Sequence, residues 1–310
     1  MKKFVKQFCT EARESSLVLN KSLKNLNTYR IDCIASVYIE IGSFRDLMIM
    51  TRLAKFYNIE CFCLGGGSKV LLPSKLKCVV YTLRGKFESI ERLDNLLIVG
   101  GGTKMQTLCE YTARNNLSCV EWGLGIPCRV GGGVYMNAGC FGKSFSDIVI
   151  KVIYTDGEKI MARDNINCEF SYRKSFFSGK KYTILYAILR TSPSENIRQS
   201  MINMFREKTS KQPYELGSCG SIFKRSILPA PLFIESAGLK GLRVGDAEVS
   251  KKHCGFVVNK KKCTQRQVLK IIYKIKRTVW EKHAIMLQNE VIVLGGKYGI
   301  FRRLSYTHRL

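Results

Sequence analysis

Acidic side chains, histidine and uninterrupted apolar stretches are all scarce in this chain. Of its 310 residues only 24 are Asp or Glu, against 51 Lys plus Arg, which leaves a formal net charge of +27. Such a field attracts nucleic acid, anionic lipid or polyanionic small molecules, and charge alone does not choose among them. The basic residues are spread along the chain, with no block beyond 260–262 and no RNA-recognition aromatic motif, and a solvated basic surface is the plainer of the readings they allow. The histidines are His253, His283 and His308, too few and too far apart for a metal site; the 13 cysteines include no CxxC pair and no cluster at zinc spacing. No metal is therefore expected, and the thiols read as reduced. No stretch approaches the ~18 apolar residues of a membrane span. The start, MKKFVKQFCTEAR, lacks the hydrophobic run of a secretory signal, which places the expectation in the cytoplasm.

What the chain does have is glycine in clusters. Residues 125–142, GIPCRVGGGVYMNAGCFG, hold six of the 26 glycines, with Pro127 near the front and Asn137 in the middle. A segment so poor in side chains exposes its amides, which suits a loop pressed against a large anion such as a cofactor pyrophosphate. A second cluster lies in CFCLGGGSKVLL, 61–72, where an apolar stretch runs into Gly65-Gly66-Gly67-Ser68. Strand followed by glycine turn is one way to present consecutive N–H groups to phosphate, and a plain tight turn would read the same. Two better-known phosphate loops fail. A dinucleotide fingerprint needs a third glycine where Cys128 stands, and Pro127 argues against a helix there; a Walker A loop needs glycine where Asn137 stands.

The hydrophobic content of 45% allows real cores, and the length fits two or three domains. Capping signals predict helices after Ser43 (with Asp46), Thr103 (with Gln106) and Thr264 (with Gln267), each ahead of apolar residues at helical spacing. Short β-branched or aromatic runs predict strands at 79–83, 96–99, 149–154, 182–189, 256–258 and 291–294. Polar seams at 84–95 and 191–199 divide the chain into about 1–85, 86–195 and 196–310.

Four smaller patterns carry candidate chemistry. In EFSYRKS, 169–175, Arg173 follows Phe170 and Tyr172; an arginine packed on aromatics can hold a fixed fork toward a carboxylate, or lie free on the surface. In GSCGSIFK, 217–224, Ser221 sits in a small-residue turn, as a proton donor or an ordinary turn serine; the frame lacks the second glycine of a nucleophile elbow. Glu290 enters the apolar run 291–294, at a sheet edge in solvent or aimed into a cleft. The basic turn before 256–258, with Lys251, Lys252 and His253, can meet a diphosphate or only water.

Taken in order, NTYR (27–30), GGGS, GIPCRVGGGVYMNAGCFG, SYRKS, GSCGSIFK, AGLKG (237–241), SKKHCGFVVN and QNEV resemble the UDP-N-acetylenolpyruvoylglucosamine reductases over roughly 27–296. The chain looks like the shorter subclass, without an inserted loop bearing an extra substrate tyrosine. The resemblance implies an α+β fold: a two-part FAD-binding region of the vanillyl-alcohol-oxidase type in 1–85 and 86–195, then a C-terminal α/β substrate-binding domain, 196–310, whose last strand can return to the first. It implies FAD, with NADPH as co-substrate. UDP-N-acetylglucosamine enolpyruvate is then reduced to UDP-N-acetylmuramate, a peptidoglycan precursor, by a monomer with no nucleic-acid partner and no membrane span.

By the same motif match, FAD would be lined by Gly65, Gly66, Gly67, Ser68, Lys69, Val70, Gly125, Ile126, Pro127, Gly131, Gly132, Asn137, Ala138 and Gly139. Substrate would meet Tyr172, Lys211 and Lys224. Arg173 and Glu290 would stabilise the enolate left by hydride addition, and Ser221 would supply the proton. Glu290 helps an anion only if it is protonated or acts through a donor it orients, so a raised pKa in a closed site is expected for it. The chain departs from the family pattern at Lys69 (usually Asn), Cys128-Arg129 (usually Gly-Thr) and Arg225-Ser226 (usually Asn-Pro). The rival readings are a flavin oxidase of alcohols or aldonolactones on the same cofactor fold, and a basic nucleic-acid-binding protein.

Overall fold

The computed structural model describes residues 1–295; the basic end, 297–310, with His308, lies outside the described residues. The chain gathers into two compact units that interleave in sequence: 1–20, 36–66 and 77–207 form the first, and 21–35, 67–76 and 208–310 the second.

The first unit holds two cores. One is built from strands Ile34–Ile41 and Lys75–Leu83, in a four-stranded sheet with Ser16–Ser22 and Cys61–Cys63, and from helices Lys2–Glu11 and Phe44–Phe56. The helix 44–56 forms as its sequence dictates: Leu47, Met50, Leu53 and Ala54 share the buried face, and the Ser43 hydroxyl accepts from the Asp46 N–H at 3.3 Å. Asp46, fully buried, accepts in turn from the N–H groups of Arg13 and Glu14. The other core lies on an antiparallel five-stranded sheet in the order Ile160–Asp164, Val149–Thr155, Thr183–Arg190, Leu96–Gly100, Ile90–Leu93. Fully buried Trp122, Phe145 and Phe177 fill it.

The predicted strands all form, shifted by a few residues at most, and Ile90–Leu93 adds one inside the stretch predicted as a polar connection. The helix expected after Thr103 forms over Met105–Arg114, but Thr103 does not cap it: its hydroxyl donates to the Ser89 carbonyl at 3.3 Å, and Lys104 is the boundary residue. Residues 125–142 are not loop throughout, since Val130–Tyr135 closes a short helix.

In the second unit, strands Arg243–Val244, Ala247–Val249 and Val257–Asn259 form an antiparallel sheet. Against it lies helix Gln265–His283, whose Val268, Ile271, Ile275 and Val279 are buried. The Thr264–Gln267 capping box is complete, as the spacing predicts. Tyr29 sinks into this core and donates to the Val257 carbonyl at 2.5 Å, while Asn259 donates back to the Tyr29 carbonyl at 2.9 Å. That exchange explains why the NTYR segment belongs with residues two hundred positions later. The last described strand, Ile292–Val293, pairs in parallel with Val70–Leu71. Among the described residues no helix is long and apolar enough to cross a membrane, and no group of three or more His, Cys, Asp or Glu could hold a metal.

Candidate active site

The first unit brings its two glycine segments together. At Gly66 a methyl group would collide with the Pro127 carbonyl oxygen and come within 2.8 Å of the Cys128 Cα, so only glycine permits this approach of main chain to main chain. Gly65 lies across from Gly132, and a methyl at Gly132 would meet no atom of the chain within 4 Å. Residues 65–66 and 125–132 thus form one bare-backboned surface.

Not every amide there is available. The N–H groups of Ile126, Gly131 and Ala138 are already donated to the carbonyls of Gly123, Gly101 and Gly133 at 2.8–2.9 Å. These three residues can line a ligand by shape but do not present N–H donors. Beneath them Arg129, buried, donates to Glu88 at 2.7 Å and to the Gly102 carbonyl, and Glu88 also receives Arg84 at 3.0 Å. Burial alone would raise the Glu88 pKa, but the hydrogen bonds and charges of Arg129 and Arg84 outweigh it and hold the carboxyl below its usual range. Arg129 therefore serves the foundation of the surface.

Asn137 is buried with a left-handed backbone (φ 43°), and its side chain is spent inside the chain: the amide donates to the Ser171 carbonyl at 3.1 Å, and its oxygen accepts from the Ser146 N–H at 2.9 Å. The bond to Ser171 fixes the tight turn that carries Arg173. Ser171 and Lys174 exchange main-chain hydrogen bonds, leaving Tyr172 and Arg173 at the tip, with Arg173 at φ 57°. The Arg173 guanidinium lies over the Tyr172 ring, 5.1 Å from its centroid, and donates to the Gly139 carbonyl at 3.2 Å. The guanidinium is thus held against its own turn by one ring and one carbonyl.

The second unit gathers a cluster around one side chain, that of Lys69. Gly67 (φ 62°) opens it: a side chain there would strike Leu26 and Asn27, and its carbonyl accepts from the Thr28 N–H at 3.2 Å. The chain then turns through Ser68 into Lys69 and the buried Val70. The Lys69 ammonium sits 2.8 Å from a Glu290 carboxylate oxygen and donates to the Ser221 carbonyl at 2.9 Å. Glu290 does not stand in solvent, its side chain being 4% exposed against 25% for Lys69. The strand-like segment at 221–224 runs between two others. Ile222 donates to Gly255 on one side and accepts from Glu290 on the other at 2.8 Å, and Lys224 donates its N–H to Gln288 at 2.8 Å. The Ser221 hydroxyl is half-buried and donates to the Phe223 carbonyl at 3.0 Å.

Beside this cluster Cys219 is fully buried; burial, reinforced by the negative charge of Glu290 and only partly offset by Lys69, pushes its thiol up to about 12. It is an uncharged packing group at neutral pH. Of the residues assigned to substrate, Tyr172 is 53% exposed, Lys224 is half-buried and Lys211 ends the helix Ile197–Lys211 at the surface. The structure thus brings Ser221 and Glu290 together, adds Lys69 to them by its side chain, and holds Arg173 on its own turn in the other unit. Lys69 was placed by sequence with the glycine turn; its tie to Glu290 carries no local sequence signal, since it depends on the pairing of 70–71 with 292–293.

Comparison with known proteins matches two family models. One, described as an FAD binding domain, covers residues 35–160, and the other, the C-terminal domain of UDP-N-acetylenolpyruvoylglucosamine reductase, covers 212–294. The chain is 36% identical over 281 residues to the UDP-N-acetylenolpyruvoylglucosamine reductase of Pseudothermotoga lettingae, covering 88% of this chain and 96% of that protein. With the protein of the same name from Clostridioides difficile the identity is 32% over 290 residues. The crystal structure of UDP-N-acetylenolpyruvylglucosamine reductase (MurB) from Thermus caldophilus superposes with a TM-score of 0.76 at 28% identity, covering 90% of this chain and 98% of that one.

Proposed function

From the premise that the chain belongs to the UDP-N-acetylenolpyruvoylglucosamine reductase family, we propose that Ser221 and Glu290 carry the reductive chemistry in the second unit, and that the surface at 65–66 and 125–132 seats FAD. The protein is an FAD-dependent reductase that uses NADPH to reduce UDP-N-acetylglucosamine enolpyruvate to UDP-N-acetylmuramate, in peptidoglycan precursor synthesis. When bound, the flavin supplies hydride transfer from NADPH to the enolpyruvyl double bond. The residues present fit it, because the surface is open at Gly132, where a methyl would meet no atom of the chain, and its base is braced by Arg129 and Glu88.

Hydride addition leaves an enolate conjugated with a carboxylate. Fixed positive charge and N–H donors meet such charge best, and Glu290 serves by orienting a donor, its carboxylate being buried against an ammonium. Arg173, whose planar fork is held by Tyr172 and Gly139, is assigned by motif match to the same anionic end of the substrate. Ser221 supplies the last proton through its hydroxyl, with a water relay replenishing it. Lys211 and Lys224 hold the diphosphate by charge, and Tyr172 lines the substrate. The chain functions as a cytoplasmic monomer, its FAD-binding part divided at about residue 85 and its substrate domain beginning near 196.

The observation that supports this reading most directly is the meeting of Ser221 with Glu290, through Lys69, at strand edges only a few residues long. Its test is NADPH oxidation by the purified yellow protein. Turnover should depend on UDP-N-acetylglucosamine enolpyruvate, and a colourless protein, or one oxidising NADPH equally without that substrate, would refute it.

A further inference from the structure

Lys69 is the group at which three segments of the second unit are joined. Its ammonium touches the Glu290 carboxylate at 2.8 Å and the Ser221 carbonyl at 2.9 Å, and its own carbonyl accepts from the Ile292 N–H at 2.8 Å. Gly220, at φ 73°, turns the chain so that a methyl there would lie only 3.4 Å from the ammonium; the glycine leaves that side open. Within the pair the carboxylate is the buried member and the ammonium the accessible one, 4% against 25% exposed. An anion approaching Ser221 therefore meets the cation before it meets Glu290. An ammonium has three N–H donors, and these two contacts use two of them.

We propose that Lys69 is the donor through which Glu290 acts: the carboxylate aims the ammonium, and the third N–H is given to the anionic three-carbon end of the substrate as the enolate forms. This rests on the assignment of Glu290 to the reductive chemistry. The two partners have opposite tasks. Glu290 supplies direction and cancels the cost of a lone cation in a partly buried place, and Lys69 supplies the charge that the enolate needs. Because the same ammonium holds the Ser221 carbonyl, the proton-donating turn and the charge that stabilises its acceptor are fixed to one point.

The test uses the flavin-loaded enzyme, reduced with NADPH without oxygen and then mixed with UDP-N-acetylglucosamine enolpyruvate in a stopped-flow instrument. In the flavin-loaded variant Lys69→Met, reoxidation by the substrate should slow about ten- to hundred-fold more than flavin reduction by NADPH does. Lys69→Arg should restore most of that loss, which filling the space alone would not do. In the double variant with Glu290→Gln, the losses should fail to add, because each partner works through the other. Reoxidation unaffected in Lys69→Met but slow in Glu290→Gln would overturn the role of Lys69 while leaving that of Glu290. Unaffected reoxidation in both would remove the two together, and additive losses would show that they act separately and overturn the link. Should Lys69→Met fail to retain flavin, Lys69→Gln, which keeps a donor but drops the charge, is held to the same outcomes.

Discussion

At Gly66 of the first unit main chain approaches main chain and a side chain is kept out, whereas in the second unit the contacts that matter are made by the end of one side chain, the Lys69 ammonium, with the Glu290 carboxylate and the Ser221 main-chain carbonyl. The two arrangements suit different tasks. A large flat cofactor that stays bound through many turnovers needs shape and a rigid base, and main chain braced by Arg129 and Glu88 provides both. Charge that appears only during reaction needs groups whose direction is fixed in advance, and an ammonium between a carboxylate and a carbonyl provides that. Substitutions should therefore fail differently in the two places.

The largest effect should come from Gly66→Ala. Its methyl would run into the Pro127 carbonyl and the Cys128 Cα, neither of which can swing aside, so a loss of about 3 kcal/mol or more in denaturant titration is expected, together with a colourless preparation. Gly132→Ala sharpens the contrast. It meets no atom of the chain, so apoprotein stability should stay within about 0.5 kcal/mol, and a fall in FAD affinity would report the ligand itself. Unchanged affinity would place the flavin away from that face.

Next in size is Ser221→Ala, which should keep flavin content and flavin reduction by NADPH while lowering reoxidation by the enolpyruvyl substrate about 100- to 1000-fold. Stopped-flow traces with both half-reactions intact would take Ser221 out of the mechanism. Glu88→Gln probes the base of the cradle, and should cost about 1–2 kcal/mol at neutral pH by removing charge-assisted hydrogen bonds to Arg129 and Arg84. The Glu88 pKa is lowered in the folded state, so its stabilisation is full above the ordinary glutamate range and is lost as pH falls through the folded value. The gap between wild type and Glu88→Gln should accordingly close as pH falls below about 4; a gap that stays constant would show that charge is not involved. Smallest, Thr264→Ala should cost about 1 kcal/mol by uncapping the helix 265–283, with FAD binding unchanged.

Much of this was readable beforehand, for reasons that differ by element. Ser43 and Thr264 cap their helices because a hydroxyl at the right spacing found the N–H three residues on. Thr103 has the same spacing, yet Ser89 lies across a strand pairing and takes its hydroxyl first, which no local pattern reports. The helix Ile197–Lys211 was not predicted; only its first three residues fall in the stretch read as a polar seam, 191–199. The strand Ile34–Ile41 was missed although Gly42 and Ser43 close it, so a turn signal was present and went unread. Glycines flagged the cradle because close approach demands them, but which amides remain free is decided by bonds such as that from Gly131 to Gly101. The Lys69–Glu290 pair could not be seen at all from spacing, and the resemblance placed each residue without joining them.

The interleaving of the two units bears on how the protein is made. Residues 21–35 and 67–76 leave the ribosome early, but the sheet and helix that cover them lie beyond 208. At ordinary synthesis rates they wait on the order of ten seconds or more. Throughout that interval the ring of Tyr29 and the side chain of Leu71, both fully enclosed in the finished molecule, lack the part of their core that is built from residues after 208. A nascent chain halted just after residue 207 would thus carry sticky surface at two internal places, and its first customer would be a chaperone.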